Sequence, residues 1–502
     1  MRRLIQEIQT AHTPESLLEH LRGEPGRVLL RTSQFDWPSA RYSLVAVRPF
    51  LTFRSFGSRC ETAPHASPHA LQLQFGNPWQ VLDALMSQFE LLEEIDLPFP
   101  LGGAFGYWGY DLKNFTEPKL PRRAVNDLEL PDCQVGFHDS LVVFDHRLGK
   151  VMVISTGLDA DGSRSEARAG ERLEFWRRAL SAPPCAGRTA TRLTGLAAGS
   201  RARTQSNMTR AEFIAAVARA QEFIRAGDIY QVNLSHRLTA RGELGGWEIF
   251  KRLSSVSPAP FAAFLDCDAG DGSGRFQIAS SSPEQFLRMS GAHIITRPIK
   301  GTRPRDADAV RDAQLAYELQ TSPKELAELV MITDLLRNDL GKVCEYGSVQ
   351  VTELARLEKF AQVQHLVSTV DGRLRNEVTH FAAFASCFPG GSITGAPKFR
   401  AMEIIDQLEP LSRGPYCGAI GYLGFNRESQ LSIAIRTAIC QPGVAHFNVG
   451  AGIVADSQPE AEYEETLAKA RGFIQALELN PESGIRNPNS EGNRNPKSEP
   501  AP

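Results

Sequence analysis

Over the first third of the chain, apolar residues alternate with polar ones or bunch in short runs, as in RVLLR at 27–31 and SLVVF at 140–144. Turn residues bound these runs, so the pattern predicts strands with a few helices. From residue 207 the pattern is denser. Thr209 and Glu212 make a capping box ahead of Phe213, Ile214, Val217, Ala220 and Ile224, an apolar stripe at helical spacing that stops at Gly227. A strand is expected directly after it, at 229–234. Ser322-Pro323-Lys324-Glu325 opens another helix, with Leu326, Leu329, Val330, Thr333 and Leu336 on one face. Glycine-punctuated strands come late, at 419–425, 431–439 and 444–454.

Two stretches break the pattern. Residues 182–206 are rich in Pro, Gly, Ser, Thr and Arg without periodicity and read as an exposed connector. The tail at 479–502 repeats Asn-Pro, holds almost nothing apolar and is expected to be disordered. The chain thus divides into an N-terminal region at 1–181, the connector, a second region at 207–478, and the tail. Because helices do not regularly separate the strands, the fold expected is α+β with mostly antiparallel sheet.

Composition narrows the function classes. Lys and Arg total 55 against 58 Asp and Glu, a formal charge of −3, and the basic residues are spread along all 502 positions. A nucleic-acid footprint is not indicated. Cys60, Cys133, Cys185, Cys267, Cys344, Cys387, Cys417 and Cys440 lie far apart, with no C-x-x-C pair, and read as reduced structural thiols. The N-terminus lacks the apolar run of a signal peptide, and no window holds about 18 uncharged apolar residues. A cytoplasmic protein without a membrane partner is the expectation.

Candidate chemistry concentrates in the second region. RPIKGTRPR at 297–305 packs four cations into nine residues around Lys300, which reads either as an anion clamp or as a nucleophile. GGSITGAPK at 390–398 starts like a phosphate loop but has Ala396-Pro397 where Lys-Ser/Thr is required. Gly450-Ala451-Gly452 resembles a dinucleotide turn, yet Asp456-Ser457-Gln458-Pro459 prevents the immediate helix. Its glycines suit close approach of main-chain N–H groups to a carboxylate. Ser457 and Glu460 form a capping box, which leaves Glu328 on one helix and Glu462 and Glu465, three apart, on another. Such carboxylates read as a solvated face or as a hard oxygen site for Mg²⁺. His365 sits in an apolar run, where a satisfied core role is open. Arg436 interrupts a strand suited to burial and needs an anion, from protein or ligand. Arg, Lys, backbone N–H groups and carboxylates together suit a small substrate with several carboxylates.

RPIKGTRPR, Ser282-Pro283-Glu284, ITDLLRNDLG at 332–341, GGSITGAPK and GAGIVADS at 450–457 run in the order seen in chorismate-utilising enzymes, and the resemblance covers about 27–478. It implies one α+β unit of two large, mostly antiparallel β-sheets in a sandwich with flanking helices, to which the parts on both sides of the connector contribute. Isochorismate and salicylate synthases carry a water-activating lysine where this chain has Gln231. Anthranilate synthase large subunits have the glutamine but place alanine at Lys300. Lys300 with Gln231 is similar to the aminodeoxychorismate synthase branch, whose large subunits make 4-amino-4-deoxychorismate for 4-aminobenzoate and folate.

Carried over by position, the resemblance gives catalysis to Lys300, Glu284 and His365. It gives substrate binding to Gln231, Thr302, Thr394, Tyr416, Arg436, Gly450, Ala451, Gly452 and Lys469. Mg²⁺ goes to Glu328 and Glu465, with Glu325 and Glu462 nearby through water. A nucleophilic Lys300 needs desolvation or neighbouring cations to release its free amine, and Arg297, Arg303, Arg305 and Mg²⁺ are the expected sources. Chorismate and ammonia are the implied substrates. With no glutaminase Cys/His constellation in the chain, a separate glutamine amidotransferase subunit is the implied partner. A tryptophan pocket falls at Thr32, Ser39, Ala40, Arg41, Tyr42, Pro260, Phe261 and Ala262. The chain reads Leu29-Leu30-Arg31-Thr32 where feedback-inhibited members have Leu-Leu-Glu-Ser, which argues against tryptophan inhibition. The rivals are an anthranilate synthase large subunit and a non-catalytic chorismate-binding homologue.

Overall fold

The computed structural model describes residues 4–32, 41–64, 70–91, 97–184, 204–242, 244–268, 274–360 and 363–478. Most of the expected connector, the expected tail, and Ser39, Ala40 and Cys185 lie outside these residues. Among them are two sheets of twelve strands each, and every ladder between named strands of four or more residues is antiparallel. Strands from both halves interleave. Val28–Arg31 pairs with Phe261–Asp268 in one sheet, and Gly103–Trp108 pairs with Ala419–Gly424 in the other. Thr204–Ser206, at the end of the expected connector, pairs with Gln231–Arg241.

The period of two along each strand explains the layering. Val28, Leu44, Leu141 and Val143 point inward and meet Phe105, Tyr107, Ile420 and Tyr422 of the facing sheet. Their neighbours Leu29, Val45, Val142 and Phe144 point outward beneath the helices Pro14–His20, Glu166–Ser181, Gly246–Val256 and Pro459–Glu478. Each large apolar side chain buried this way contributes about 1.5–3 kcal/mol. The other sheet is backed by Pro78–Phe89 and His380–Cys387 through Trp79, Phe381 and Phe384.

The caps expected at Thr209 and Ser322 form, but the capping box expected at Ser457 and Glu460 does not, because the Ser457 hydroxyl accepts from the Val454 N–H and donates to Glu462 instead. Thr209 accepts from the Glu212 N–H, Glu212 bonds back, and the helix Arg210–Arg225 buries Phe213, Val217 and Ala220. Ser322 caps Pro323–Gly341, which buries Leu329, Thr333 and Leu336. Val330 departs from the expected face and is 49 % exposed. No helix among the described residues is long and apolar enough to cross a membrane.

The chain passes directly between the sheets at four places: residues 47–50, 139, 283–284 and 434–436. The last of these corrects the expected strand at 431–439. Glu428–Ile433 belongs to one sheet and Thr437–Gln441 to the other, with Arg436 at φ +49° between them. The run LSIAIRTAIC has no glycine or proline to announce this turn, so the apolar pattern reads straight through it.

Candidate active site

Lys300 lies on Ile299–Pro304, paired with Val363–Arg373, and the register slips at Gly301, whose φ is +67°. A Cβ on Gly301 would stand 2.7 Å from Leu319 Cδ1 and 3.0 Å from Glu325 Oε2. Glycine therefore lets the helix Pro323–Gly341 close on this strand. That approach sets Lys300 Nζ 3.6 Å from Glu328 Oε2. Across the site is Gly452 on Val444–Ile453, where a Cβ would meet Gln231 Nε2 at 2.5 Å and Lys300 Nζ at 3.4 Å. Gln231 Oε1 is buried without a partner, so its amide still has an acceptor to offer. A Cβ on Gly450 would come 3.0 Å from the Tyr416 hydroxyl, and Lys469 Nζ donates to the Gly450 carbonyl at 2.8 Å. Ala451 turns its side chain into the apolar core, leaving its main chain on this edge.

Thr302 Oγ1 and His365 Nδ1 are 2.9 Å apart. Burial, and then the charge of Arg436, push His365 down to about 4, so the ring is neutral at pH 7. Arg436 is partly buried, burial lowers its pKa, and its guanidinium has no carboxylate partner among the described residues. A cation in that setting calls for an anionic ligand. Thr394 is fully buried, and its hydroxyl donates back to Gly390 O at 3.0 Å. Glu284 sits at the 283–284 crossing, where its carbonyl accepts from the Ile433 N–H at 3.1 Å. Burial raises its carboxyl to about 7, against the opposing pull of a Ser392 hydrogen bond, Lys300, the Ile299 N–H and Lys469. Near neutrality it can still carry a proton.

The neighbouring cations behave differently from expectation. Arg297 pairs with Glu358 and Glu353, Arg303 with Glu325 at 3.3 Å, and Arg305 with Asp312 at 2.7 Å. Each is matched to a carboxylate, so none is left to act on Lys300 as an uncompensated charge. The four glutamates are likewise engaged. Glu328 faces Lys300, Glu325 faces Arg303, Glu465 pairs with Lys469 at 2.8 Å, and Glu462 accepts from the Ser457 hydroxyl at 2.6 Å. Burial raises Glu462. For Glu465 burial also pushes upward, but Lys469, Lys300 and Lys324 outweigh it and the pKa is lowered. Among the described residues no three His, Cys, Asp or Glu side chains close on one point. Glu328 and Glu465 from separate helices, both facing Lys300, still fit a cation that takes one or two carboxylates and fills its remaining positions with water and substrate.

Thr32, Tyr42, Pro260, Phe261 and Ala262 line a pocket between the two sheets, together with Tyr422 and Gln430. Arg41 turns away to Asp145, at 2.9 Å from Oδ1.

Several residues at the site escape the sequence reading. Ser392 hydrogen-bonds Glu284. Lys398, at the end of the failed phosphate loop, pairs with the fully buried Asp339 and donates to Cys387 O at 3.0 Å. This ties the 390–398 segment to the helix bearing Glu328. Arg413 and Glu409, 2.7 Å apart, lie under the same segment. A lysine ending a glycine-rich run was the signal for the first pair; LSRGPYCG reads only as a turn.

The model for chorismate binding enzymes matches residues 35–475. The anthranilate synthase component 1 of Thermus thermophilus is 42% identical over 384 residues, 76% of this chain and 79% of that protein. The aminodeoxychorismate synthase component 1 of Salmonella typhimurium is 40% identical over 456 residues, 90% of this chain and 93% of that one. The crystal structure of anthranilate synthase component I from Streptococcus pneumoniae shares the fold, with a TM-score of 0.72 at 31% identity, covering 86% of this chain and 92% of that chain. The matched span contains every residue placed around Lys300, and the chain belongs to the family of chorismate binding enzymes, which act on chorismate.

Proposed function

We propose that this chain is the large subunit of an aminodeoxychorismate synthase, converting chorismate and ammonia to 4-amino-4-deoxychorismate. The observation that carries the reading is the placement of Lys300 Nζ beside Gln231 and Gly452, with Glu284 close enough to feel its charge. A lysine nucleophile faces the pocket, and a neutral amide stands where a water-activating base would be needed for hydroxylation.

The free amine of Lys300 attacks C2 of the ring, the double bonds shift, and the C4–O bond breaks. Glu284 gives its proton to the departing oxygen, which leaves as water. Ammonia then bonds to C4, the double bonds shift back, the C2–N bond breaks, and the proton lost by the new amine returns to Glu284. Two displacements replace one poor displacement of hydroxide. Arg436, Tyr416 and the main chain at 450–452 hold the substrate carboxylates. Gln231, Thr302, Thr394 and the neutral His365 line the ring pocket, and Lys469 fixes the Gly450 carbonyl. Glu328 and Glu465 would hold Mg²⁺, with Glu325 and Glu462 nearby, and the ion would supply charge stabilisation for a substrate carboxylate. Ammonia comes from a glutamine amidotransferase partner, or from solution in its absence.

The identities, 42% to an anthranilate synthase component 1 and 40% to an aminodeoxychorismate synthase component 1, do not separate this reading from its rival, in which pyruvate is also eliminated. Incubation with chorismate, Mg²⁺ and ammonium at alkaline pH, followed by product identification, separates the readings. Aminodeoxychorismate supports the proposal, anthranilate replaces it with the rival, and unchanged chorismate leaves a binding protein. Intact-mass analysis during turnover checks the covalent step, which fails if no chorismate-derived mass appears at Lys300.

A further inference from the structure

Arg413 is 3 % exposed, and each nitrogen of its guanidinium has a hydrogen-bond partner. Nη1 donates to Ile393 O at 3.0 Å, Nη2 donates to Asn233 O at 2.6 Å, and Nε and Nη2 reach the Glu409 carboxylate at 2.9 and 2.7 Å. Glu409 Oε1 also accepts from the Ser235 N–H at 2.8 Å and the Ser235 hydroxyl at 3.0 Å. The Asn233 N–H donates to Thr394 O at 2.8 Å, which closes a ring of hydrogen bonds between the strand carrying Gln231 and the 390–398 segment. The guanidinium lies over the Tyr110 ring, 4.7 Å from its centroid, and 5.9 Å from that of Tyr416. A buried ion pair is weak evidence for stability, since apolar replacements are often as stable. Here its donors are spent on the carbonyls of Ile393, next to Ser392 and Thr394, and of Asn233, on the strand carrying Gln231.

We infer that Arg413, held in register by Glu409, is a positioning residue that fixes Ser392 against Glu284 and Thr394 on the pocket wall through the Ile393 carbonyl. Ile393 lies between those two residues in sequence, so a shift of its carbonyl moves both. The inference rests on Glu284 being the proton donor. Glu284 is faced by Lys300, Lys469 and Cys417 as well as Ser392.

The test follows chorismate consumption at saturating Mg²⁺ and ammonium across pH, in Arg413→Lys, Glu409→Gln, Ser392→Ala and Glu284→Gln. Arg413→Lys keeps the charge and loses the fork. It is expected to lower kcat about 10- to 100-fold with KM changed only a few-fold. It should also move the alkaline limb of kcat upward, because the Ser392 hydrogen bond that holds Glu284 down is weakened. In a Ser392→Ala background the same substitution should add no further shift. A lower Tm with wild-type kcat and limb, or an equal further shift in the Ser392→Ala background, overturns the inference. If Arg413→Lys does not fold, Glu409→Gln, which keeps the guanidinium, is judged by the same criteria. Persistence of the alkaline limb in Glu284→Gln sinks the acid assignment instead, and the kcat against KM split in Arg413→Lys then decides the positioning role alone.

Discussion

Each half of the molecule passes directly from one sheet to the other twice, and each pair of direct crossings carries one arginine with a left-handed backbone and one buried acid. In the N-terminal half these are Arg48, at φ +55°, and Asp139; in the C-terminal half they are Arg436, at φ +49°, and Glu284. Their electrostatics differ. Arg48 is paired with Glu24 and lies over the Phe175 ring, and Asp139 is flanked by Arg168 and Arg172, each at 3.4 Å. Arg436 has no carboxylate partner among the described residues, and Glu284 feels Lys300 and Lys469 but forms a salt bridge with neither. The same backbone device thus holds a neutralised pair in one half and an uncompensated pair in the other. Burying unpaired charge costs stability, so its retention marks where a ligand supplies the missing partner.

The largest effect should come from breaking the uncompensated pair. Arg436→Met is expected to lower kcat/KM for chorismate about 10²- to 10³-fold, through the loss of oriented donors at a substrate carboxylate. Its thermal midpoint should hold or rise, because an unpaired buried cation is removed. Asp139→Asn should do the reverse. It leaves Arg168 and Arg172 facing an amide, costing roughly 2–3 kcal/mol of stability in urea melts while kcat/KM is kept. A folded Arg436→Met with wild-type kinetics would erase the distinction between the two halves.

Glu284 sharpens the comparison through pH. Its pKa is raised from 4.5 to about 7, so between these values the folded chain holds a proton that the unfolded chain has released. The unfolding free energy therefore falls as pH rises through that window, by at most roughly 3 kcal/mol, and the full contribution is present only below the unfolded pKa. Glu284→Gln should flatten this slope between about pH 5 and about pH 8, remove the alkaline limb of kcat near 7 and lower kcat itself. A slope as steep in the variant as in the parent would assign the proton elsewhere.

Much of this architecture could be read from local pattern. Alternation placed Val28–Arg31 and Ser140–Asp145, and the Thr209 and Ser322 caps marked their helices because those signals lie within a few residues of what they control. The motifs singled out Lys300, Gln231, Glu284 and Gly452, which lie close together in the structure. What local pattern missed depends on partners far away. Nothing in 431–439 shows that Ile433 and Thr437 belong to different sheets. Nothing near Arg413 shows that it serves Asn233, 180 positions away. The same holds for RPIKGTRPR: a cation-rich string shows its charges and hides the acids that match them, since Arg297 finds Glu358 61 residues on.

That last point gives the smallest expected effect. Arg305 seemed a tuning charge for Lys300, yet Nε and Nη2 donate to Asp312 at 2.7 and 3.1 Å, and Nη1 donates to Phe360 O at 2.8 Å. Hydrogen bonding from Arg305 holds the Asp312 carboxyl well below the usual carboxylate range, so the pair is ionised on both sides at any working pH. Seen from Lys300, a cation and an anion in contact form a dipole whose field falls off steeply, and solvent screens the remainder. Arg305→Ala should therefore leave kcat and its pH limbs within about a factor of two of wild type. Restoring an uncompensated charge is the matching perturbation. Asp312→Asn removes the anion and keeps the arginine, so it should alter kcat more than Arg305→Ala does. If the two substitutions instead gave equal and large losses of kcat, pairing would not be what separates working charges from structural ones in this protein.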